Sequence, residues 1–320
     1  MKIGIVSTSR VIDLFWAGYP QMQDIQVSAI CCRPQSVEKA RQWAKKYNIP
    51  AVYTDYEAFL QEGDFDFAYI GTVNSQHYPQ ARQALLAGRN VILEKPFTAT
   101  AAETRDLAAL ATAKRLWLFE AITSMYTPGF AFLRQQLPAI GKVRGAMLNF
   151  SLHSPRYDQY LLGEMTTTFA HEHAGGALYD MNAYCLHLTT ALLGLPQKAF
   201  YLPNRGWNSI DTSGMAILQY DGFTAACMAG KDSTAPNGMT LQGEKGCLVI
   251  NGDPTSCNFP YALIGGKRID GPALPKNRFA IEFEAFARIW SGNDRKAHDD
   301  ALHHTVHVMH LLELLKQSAE

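Results

Sequence analysis

Several absences narrow the function before any motif is read. The chain has no charge excess, since 29 Lys+Arg balance 29 Asp+Glu. No net field therefore draws it to nucleic acid, an acidic membrane surface or a polyanionic substrate, and a small-molecule partner is expected. No apolar run approaches bilayer length and no charged-then-apolar leader opens the chain, because Lys2-Ile3-Gly4-Ile5-Val6 reads at once as a strand. A cytoplasmic, membrane-free protein is expected. Cysteine is sparse: six residues, at 31, 32, 185, 227, 247 and 257, without a C-x-x-C pair. That usage suits buried reduced thiols better than a disulfide framework or a zinc site. Internal repeats, low-complexity segments and H-E-x-x-H are all missing. Glycine is missing where it would be most informative, in the turn Ser7-Thr8-Ser9-Arg10-Val11-Ile12 that follows the first strand.

What is present suffices for two domains, with 320 residues of which 47% are hydrophobic. Residues 1–120 alternate short β-branched runs, at 2–7, 26–32, 67–72, 90–93 and 116–119, with amphipathic stretches such as 38–47 and 78–87. This is the pattern of βαβ units on a parallel sheet, an α/β Rossmann-like domain. Residues 121–320 change character. Strand runs at 145–152, 214–220, 224–229, 239–243 and 247–251 are separated by Gly, Asn and Asp turns, and helices at 279–289 and 299–317 close the chain. The Asp221-Gly222 and Glu244-Lys245-Gly246 turns predict hairpins, so the second domain reads as α+β with a mainly antiparallel sheet.

Val91-Ile92-Leu93-Glu94-Lys95-Pro96 ends an apolar strand on a lysine that proline keeps out of a following helix. In an open parallel sheet the crevice beyond the strand carboxyl ends is where ligands bind, so Lys95 is a candidate active-site residue. A dinucleotide fold usually turns from strand to helix through G-x-G-x-x-G, letting backbone approach a pyrophosphate. Here Ser7, Thr8, Ser9 and Arg10 either form a serine version of that cradle or an ordinary strand-to-helix turn. The second strand ends in Cys31-Cys32-Arg33, with no acid for a ribose 2′-hydroxyl. Arg33 favours NADP over NAD.

Taken together, the strand–turn–helix start, Thr72-Val73-Asn74-Ser75-Gln76-His77 and Glu94-Lys95-Pro96 resemble the glucose–fructose oxidoreductase/inositol dehydrogenase family, Gfo/Idh/MocA. Ala174-Gly175-Gly176-Ala177-Leu178-Tyr179-Asp180-Met181-Asn182-Ala183-Tyr184 is similar to its G-G-x-L-x-D-x-G-x-(H/Y) motif, and Gln242-Gly243-Glu244-Lys245-Gly246 to its late hairpin. The resemblance implies an open-faced second-domain sheet, an NAD(P)-dependent oxidoreductase acting on a carbinol carbon of a sugar, polyol or cyclic diol, and a homodimer or homotetramer. It implies catalytic roles for Lys95, Tyr184 and Asp180. It also implies cofactor contacts from Ser7, Thr8, Ser9, Arg10, Arg33, Thr72, Asn74, His77, Glu94 and Lys95. Asp180 and Tyr184 are four apart and would share a face on one α-helix. Tyrosine at 184 resembles the sugar and diol branches. Arg156, Tyr157, His171 and His173 are candidate substrate contacts, and no metal site is expected from His303, His307 and His310, which stand among leucines. Ile12, Val73, Asn182, His187 and Met125 depart from the family pattern. The alternative reading is a catalytically silent sensor of nucleotide or sugar with the same fold.

Overall fold

The computed structural model describes residues 1–319. In the first of two compact units, β1 (Lys2–Val6), β2 (Gln26–Cys31), β3 (Ala51–Tyr53), β4 (Phe67–Ile70), β5 (Asn90–Glu94) and β6 (Leu118–Ala121) form a parallel sheet. Its order is β3-β2-β1-β4-β5-β6. The crossovers carry α1 (Arg10–Gly18), α2 (Val37–Tyr47), α3 (Tyr56–Glu62), α4 (Asn74–Leu86) and α5 (Ala101–Lys114). Strands β4 and β6 are buried at every position, as a sheet covered on both faces requires. The order reverses between β1 and β4, which puts a topological switch point, and the ligand crevice it creates, at their carboxyl ends.

The second unit is built on an eight-stranded sheet. Its strands are β7 (Val143–Ser151), β8 (Lys198–Arg205), β9 (Asp211–Tyr220), β10 (Phe223–Gly230), β11 (Gly238–Gly243), β12 (Gly246–Asn251), β13 (Tyr261–Ile264) and β14 (Lys267–Asp270). The order is β14-β13-β12-β11-β7-β10-β9-β8, and every pair is antiparallel except β7 with β10. Alternation along the strands divides the faces. Leu148, Phe150, Ala225, Cys227, Ala216 and Leu218 are buried, on the side where α8 (Ala183–Leu193) lies. On the other side register aligns Leu202, Met215 and Met228, and beside them Met147 pairs with Ala226 and Thr240. Met147 and Leu202 are 66% and 63% exposed, so this face is open. The Asp221-Gly222 hairpin joins β9 to β10, with Gly222 at φ 80°, a left-handed angle that glycine adopts freely.

The chain crosses from the first unit to the second after Ala121, and residues Lys276–Val306 return to the first. A division at residue 120 concerns only the first of these crossings. The return brings α9 (Arg278–Ser291) against α1: Phe283 lies 4.9 Å from both Phe15 and Tyr69, and Phe286 stacks on Phe119 at 4.7 Å. The final helix, α10 (Arg295–Ser318), has residues in both units, and its Leu311, Leu312 and Leu315 are buried.

Candidate active site

The turn after β1 replaces glycine chemistry with hydroxyl chemistry. Ser7 takes φ 131°, a left-handed angle costly to a residue with a Cβ. Its Oγ accepts the Ser9 amide at 3.0 Å, and Ser9 Oγ donates to the Gly71 carbonyl at 2.6 Å, so the turn is tied to the end of β4. Ser9 is the N-cap of α1, its carbonyl accepting the Ile12 amide at 3.1 Å, and the amides that open a helix point toward any anion bound there. Ile12 stands where the fingerprint has glycine, and it is fully buried. Its room comes from Gly71, where a Cβ would lie 2.8 Å from Ile12 Cδ1. The close packing that the missing glycine would allow is thus supplied from the opposite strand.

Arg10 begins α1 and is exposed, and Arg33, also exposed, precedes the turn Pro34–Ser36 beyond β2. Lys39, on α2, was not among the expected residues. Its ammonium donates to the Thr8 carbonyl and to Asp13 at 3.0 Å each, and sits 4.7 Å from the centre of the Trp43 ring. Only folding shows that α2 aims this cation at the serine turn, although the Arg33–Lys39 pair of basic residues beyond β2 was a readable signal.

Past β4 and β5 the predicted residues differ in burial. The Thr72 hydroxyl donates to Gln80 at 2.7 Å, and Asn74 opens α4. His77 is buried, with Nδ1 2.9 Å from the Pro96 carbonyl and Nε2 3.3 Å from that of Thr72. Burial holds its pKa below the usual imidazole value, so the neutral ring donates through one nitrogen, the shorter contact marking Nδ1. His77 therefore joins the Thr72 and Pro96 loops through their carbonyls. Glu94 is also buried. Burial pushes its carboxyl up to about 7, against the Tyr69 hydroxyl that donates to it at 2.7 Å and the Lys95 ammonium next to it. Its Cγ lies near Gly71, the residue to which Ser9 ties the serine turn. Lys95 follows, half-buried, with a cis bond to Pro96.

In the second unit the segment carrying Asp180 is anchored three times. Residues Leu178–Asn182 form a π turn before α8, so the α-helical i, i+4 relation expected for Asp180 and Tyr184 does not describe the pair. Asp211 caps the turn: one carboxylate oxygen accepts the Leu178 amide at 2.6 Å and the Tyr201 hydroxyl at 2.8 Å. Gly176, at φ 103°, has to lack a side chain, because a Cβ would lie 2.0 Å from Asp211 Oδ1. Asn182, fully buried, donates to the Cys227 carbonyl at 2.9 Å. Asp180 accepts from Lys231 Nζ at 2.6 Å. Tyr184 meets Phe150 edge-on at 5.6 Å between ring centres.

The expected substrate residues divide. Arg156 is exposed on α7 (Pro155–Leu161), whereas Tyr157 packs its ring against Tyr160 and Phe169. His171 is exposed, with Nε2 3.1 Å from the Asn208 carbonyl, and His173 is half-buried just before the glycines. His303, His307 and His310 lie on the exposed side of α10, and among the described residues no group of three His, Cys, Asp or Glu is arranged to hold a metal. All six thiols are free, and burial pushes those of Cys31, Cys227 and Cys257 up to about 12, which disqualifies them as nucleophiles at neutral pH. Among the described residues no helix is long and apolar enough to cross a membrane.

A doubly wound parallel sheet with an anion-ready helix terminus, beside a second unit with an open-faced sheet, defines a Rossmann-type two-unit protein. Residues 1–121 match the oxidoreductase family with an NAD-binding Rossmann fold, GFO/IDH/MocA, and residues 136–249 match the GFO/IDH/MocA C-terminal domain. The chain belongs to the Gfo/Idh/MocA family. It is 30% identical over 287 residues to scyllo-inositol 2-dehydrogenase (NADP(+)) of Bacillus subtilis, covering 89% of this chain and 86% of that protein. It is 28% identical over 290 residues to trans-1,2-dihydrobenzene-1,2-diol dehydrogenase of Homo sapiens, covering 87% and 82%. The same fold occurs in a 3-ketoreductase from Actinomadura kijaniata, solved with NADP and TDP-benzene, at TM-score 0.83 and 19% identity over 99% of this chain and 97% of that one.

Proposed function

We propose that the protein is an NADP-preferring oxidoreductase that moves a hydride between the nicotinamide and a carbinol carbon of a sugar, polyol or cyclic diol. The observation that carries this reading is the placement of Lys95 at the carboxyl end of β5, one strand from the switch point of a Rossmann sheet. The names of the related inositol and dihydrodiol dehydrogenases support the substrate class and the choice of NADP. The cofactor fits the residues present: the serine turn and α1 amides suit a pyrophosphate, and Arg33 and Lys39 suit a 2′-phosphate.

The bound cofactor supplies the hydride chemistry. Lys95, just past the carboxyl end of β5, binds the reacting oxygen as a cation. Tyr184 Oη exchanges the hydroxyl proton, and Asp180 accepts a hydrogen bond from a neighbouring substrate hydroxyl. The reading includes self-association as a homodimer or homotetramer, supported by the apolar open face of the second sheet, and a cytoplasmic location, supported by the free thiols.

Titration with NADPH and then NADH, followed by quenching of tryptophan fluorescence, tests the cofactor. Trp43, beneath the Lys39 ammonium, is a built-in reporter. NADPH should bind the tighter, and Lys39→Ala and Arg33→Ala should each erase roughly tenfold of that preference, the scale of one charge-assisted contact. Binding of neither nucleotide would turn the reading to the silent sensor.

A further inference from the structure

We propose that Lys231 is a positioning residue of the active site, holding Asp180 ionised and fixing it to the segment that precedes it. The inference rests on the reading of Asp180 as part of that site. Lys231 follows Gly230 at the end of β10, so it ends an apolar strand just as Lys95 does. Unlike most lysines it is sealed in, its side chain 3% exposed while that of Asp180 is 30% exposed. A buried ammonium must be paired and hydrogen-bonded to remain charged. Lys231 Nζ has three such partners: Asp180 Oδ2 at 2.6 Å, the Thr168 carbonyl at 3.4 Å, and the Phe169 ring, whose centre is 5.0 Å away.

The Thr168 carbonyl also accepts the Gly176 amide at 3.0 Å, which closes the segment between them into a loop. One cation therefore joins the loop bearing His171 and His173 to the carboxylate that the π turn presents. The cation itself is buried, while the Asp180 side chain keeps 30% of its surface exposed. Held ionised, Asp180 is an acceptor only, so it selects a hydroxyl and disfavours a carboxylate or phosphate at that point of the substrate. The pair is also neutral as a whole, so Asp180 does not add an uncompensated negative charge near Tyr184, which would hinder loss of the phenol proton. The other charged or titratable groups on the elements packed around Asp180 are Tyr179 in the turn, Asp211 and Tyr220 on β9, Cys227 on β10 and Asp232 after it, Arg144 on β7, His173 before the turn, and Tyr184, Cys185 and His187 on α8. Asp211 is committed to the Leu178 amide and the Tyr201 hydroxyl, and Asp232 to the hydroxyls of Thr212 and Ser213.

The test is an NMR titration of the Asp180 carboxyl in the full-length protein labelled with 13C at aspartate Cγ, the signal being assigned by its loss in Asp180→Asn. In Lys231→Met, which keeps the buried length without the charge, the Asp180 titration should move up by about one to three pH units, the range for losing an adjacent cation. Lys231→Arg should return it toward the wild-type position, because charge and donors are restored. An Asp180 titration unchanged in Lys231→Met overturns the inference. If the methionine variant does not fold, a wild-type Asp180 that titrates within the ordinary carboxylate range overturns it, and one that titrates well below supports it. The two readings fail separately. Asp180→Asn and Tyr184→Phe variants with unimpaired NADP-linked alcohol oxidation would remove the proposed site while the titration still reports on the ion pair.

Discussion

Glu94 and Lys95 are neighbours in the chain and opposites in environment. Glu94, the last residue of β5, is buried beside Tyr69, whereas Lys95 stands just past the end of the strand and is half-buried. Lys95→Ala should lower turnover by roughly two orders of magnitude or more, the usual scale of acid–base assistance, with a far smaller change in NADPH affinity. Steady-state kinetics beside fluorescence titration checks both. Glu94 has a different signature. Its folded pKa of about 7 lies above the ordinary 4.5, so between these values the folded state holds a proton that the unfolded state has released. Stability should therefore fall as pH rises through that window, by up to about 1.4 kcal/mol per unit, and level off above it. Urea midpoints from pH 5 to pH 8 should show this slope in the wild type and lose it in Glu94→Gln.

Asp180 is placed by an element that is itself held from outside. A π turn is uncommon in isolation because its backbone geometry is less favourable than that of the α-helix it interrupts. Residues 178–182 keep it through the Asp211 cap at one end and the Asn182 bond to β10 at the other. Asp211→Ala would leave the Leu178 amide and Tyr201 hydroxyl without that acceptor, at roughly 1–3 kcal/mol for each buried group. The expected result is a lowered thermal midpoint together with a loss of turnover exceeding any loss of NADPH affinity, since the cofactor side lies in the other unit. Equal losses of both would mean that Asp211 serves global stability alone.

On the scale of the molecule, assembly turns on the open face of the eight-stranded sheet, where several large apolar side chains are exposed. Phe200, Leu202, Met215 and Met147 are exposed along it, and strand register lines them up across β8, β9, β10 and β7. A contiguous apolar area of this kind is rarely left to water on a monomer. Light scattering coupled to size exclusion should give a dimer or tetramer for the wild type. A smaller species is expected for the double variant Met147→Glu, Leu202→Glu, with its circular dichroism spectrum retained. A wild-type monomer at micromolar concentration would remove the face from the assembly reading.

Much of the architecture is local in origin and was legible. β5 has an apolar centre, Val91-Ile92-Leu93, the Asp221-Gly222 turn sits between two alternating runs, and each of these signals arises within a few residues. β3 escaped because it is three half-buried residues at a sheet edge, too short for a periodicity. β6 was expected at 116–119 and runs Leu118–Ala121, because Glu120 in its middle breaks the apolar pattern; the strand tolerates it through Thr305, whose hydroxyl donates to Glu120 at 2.7 Å from 185 residues away. The candidate site follows the same division. Sequence by itself determined the family, the Rossmann pattern and the chemical identities of Lys95, Asp180 and Tyr184. Tertiary structure alone decided that His77 and Glu94 are buried, that Gly71 makes room for Ile12, and that Lys39 and Lys231 reach the serine turn and Asp180. These are relations between segments far apart in the chain, and a buried charge or a missing glycine is tolerable only through the partner that folding brings to it.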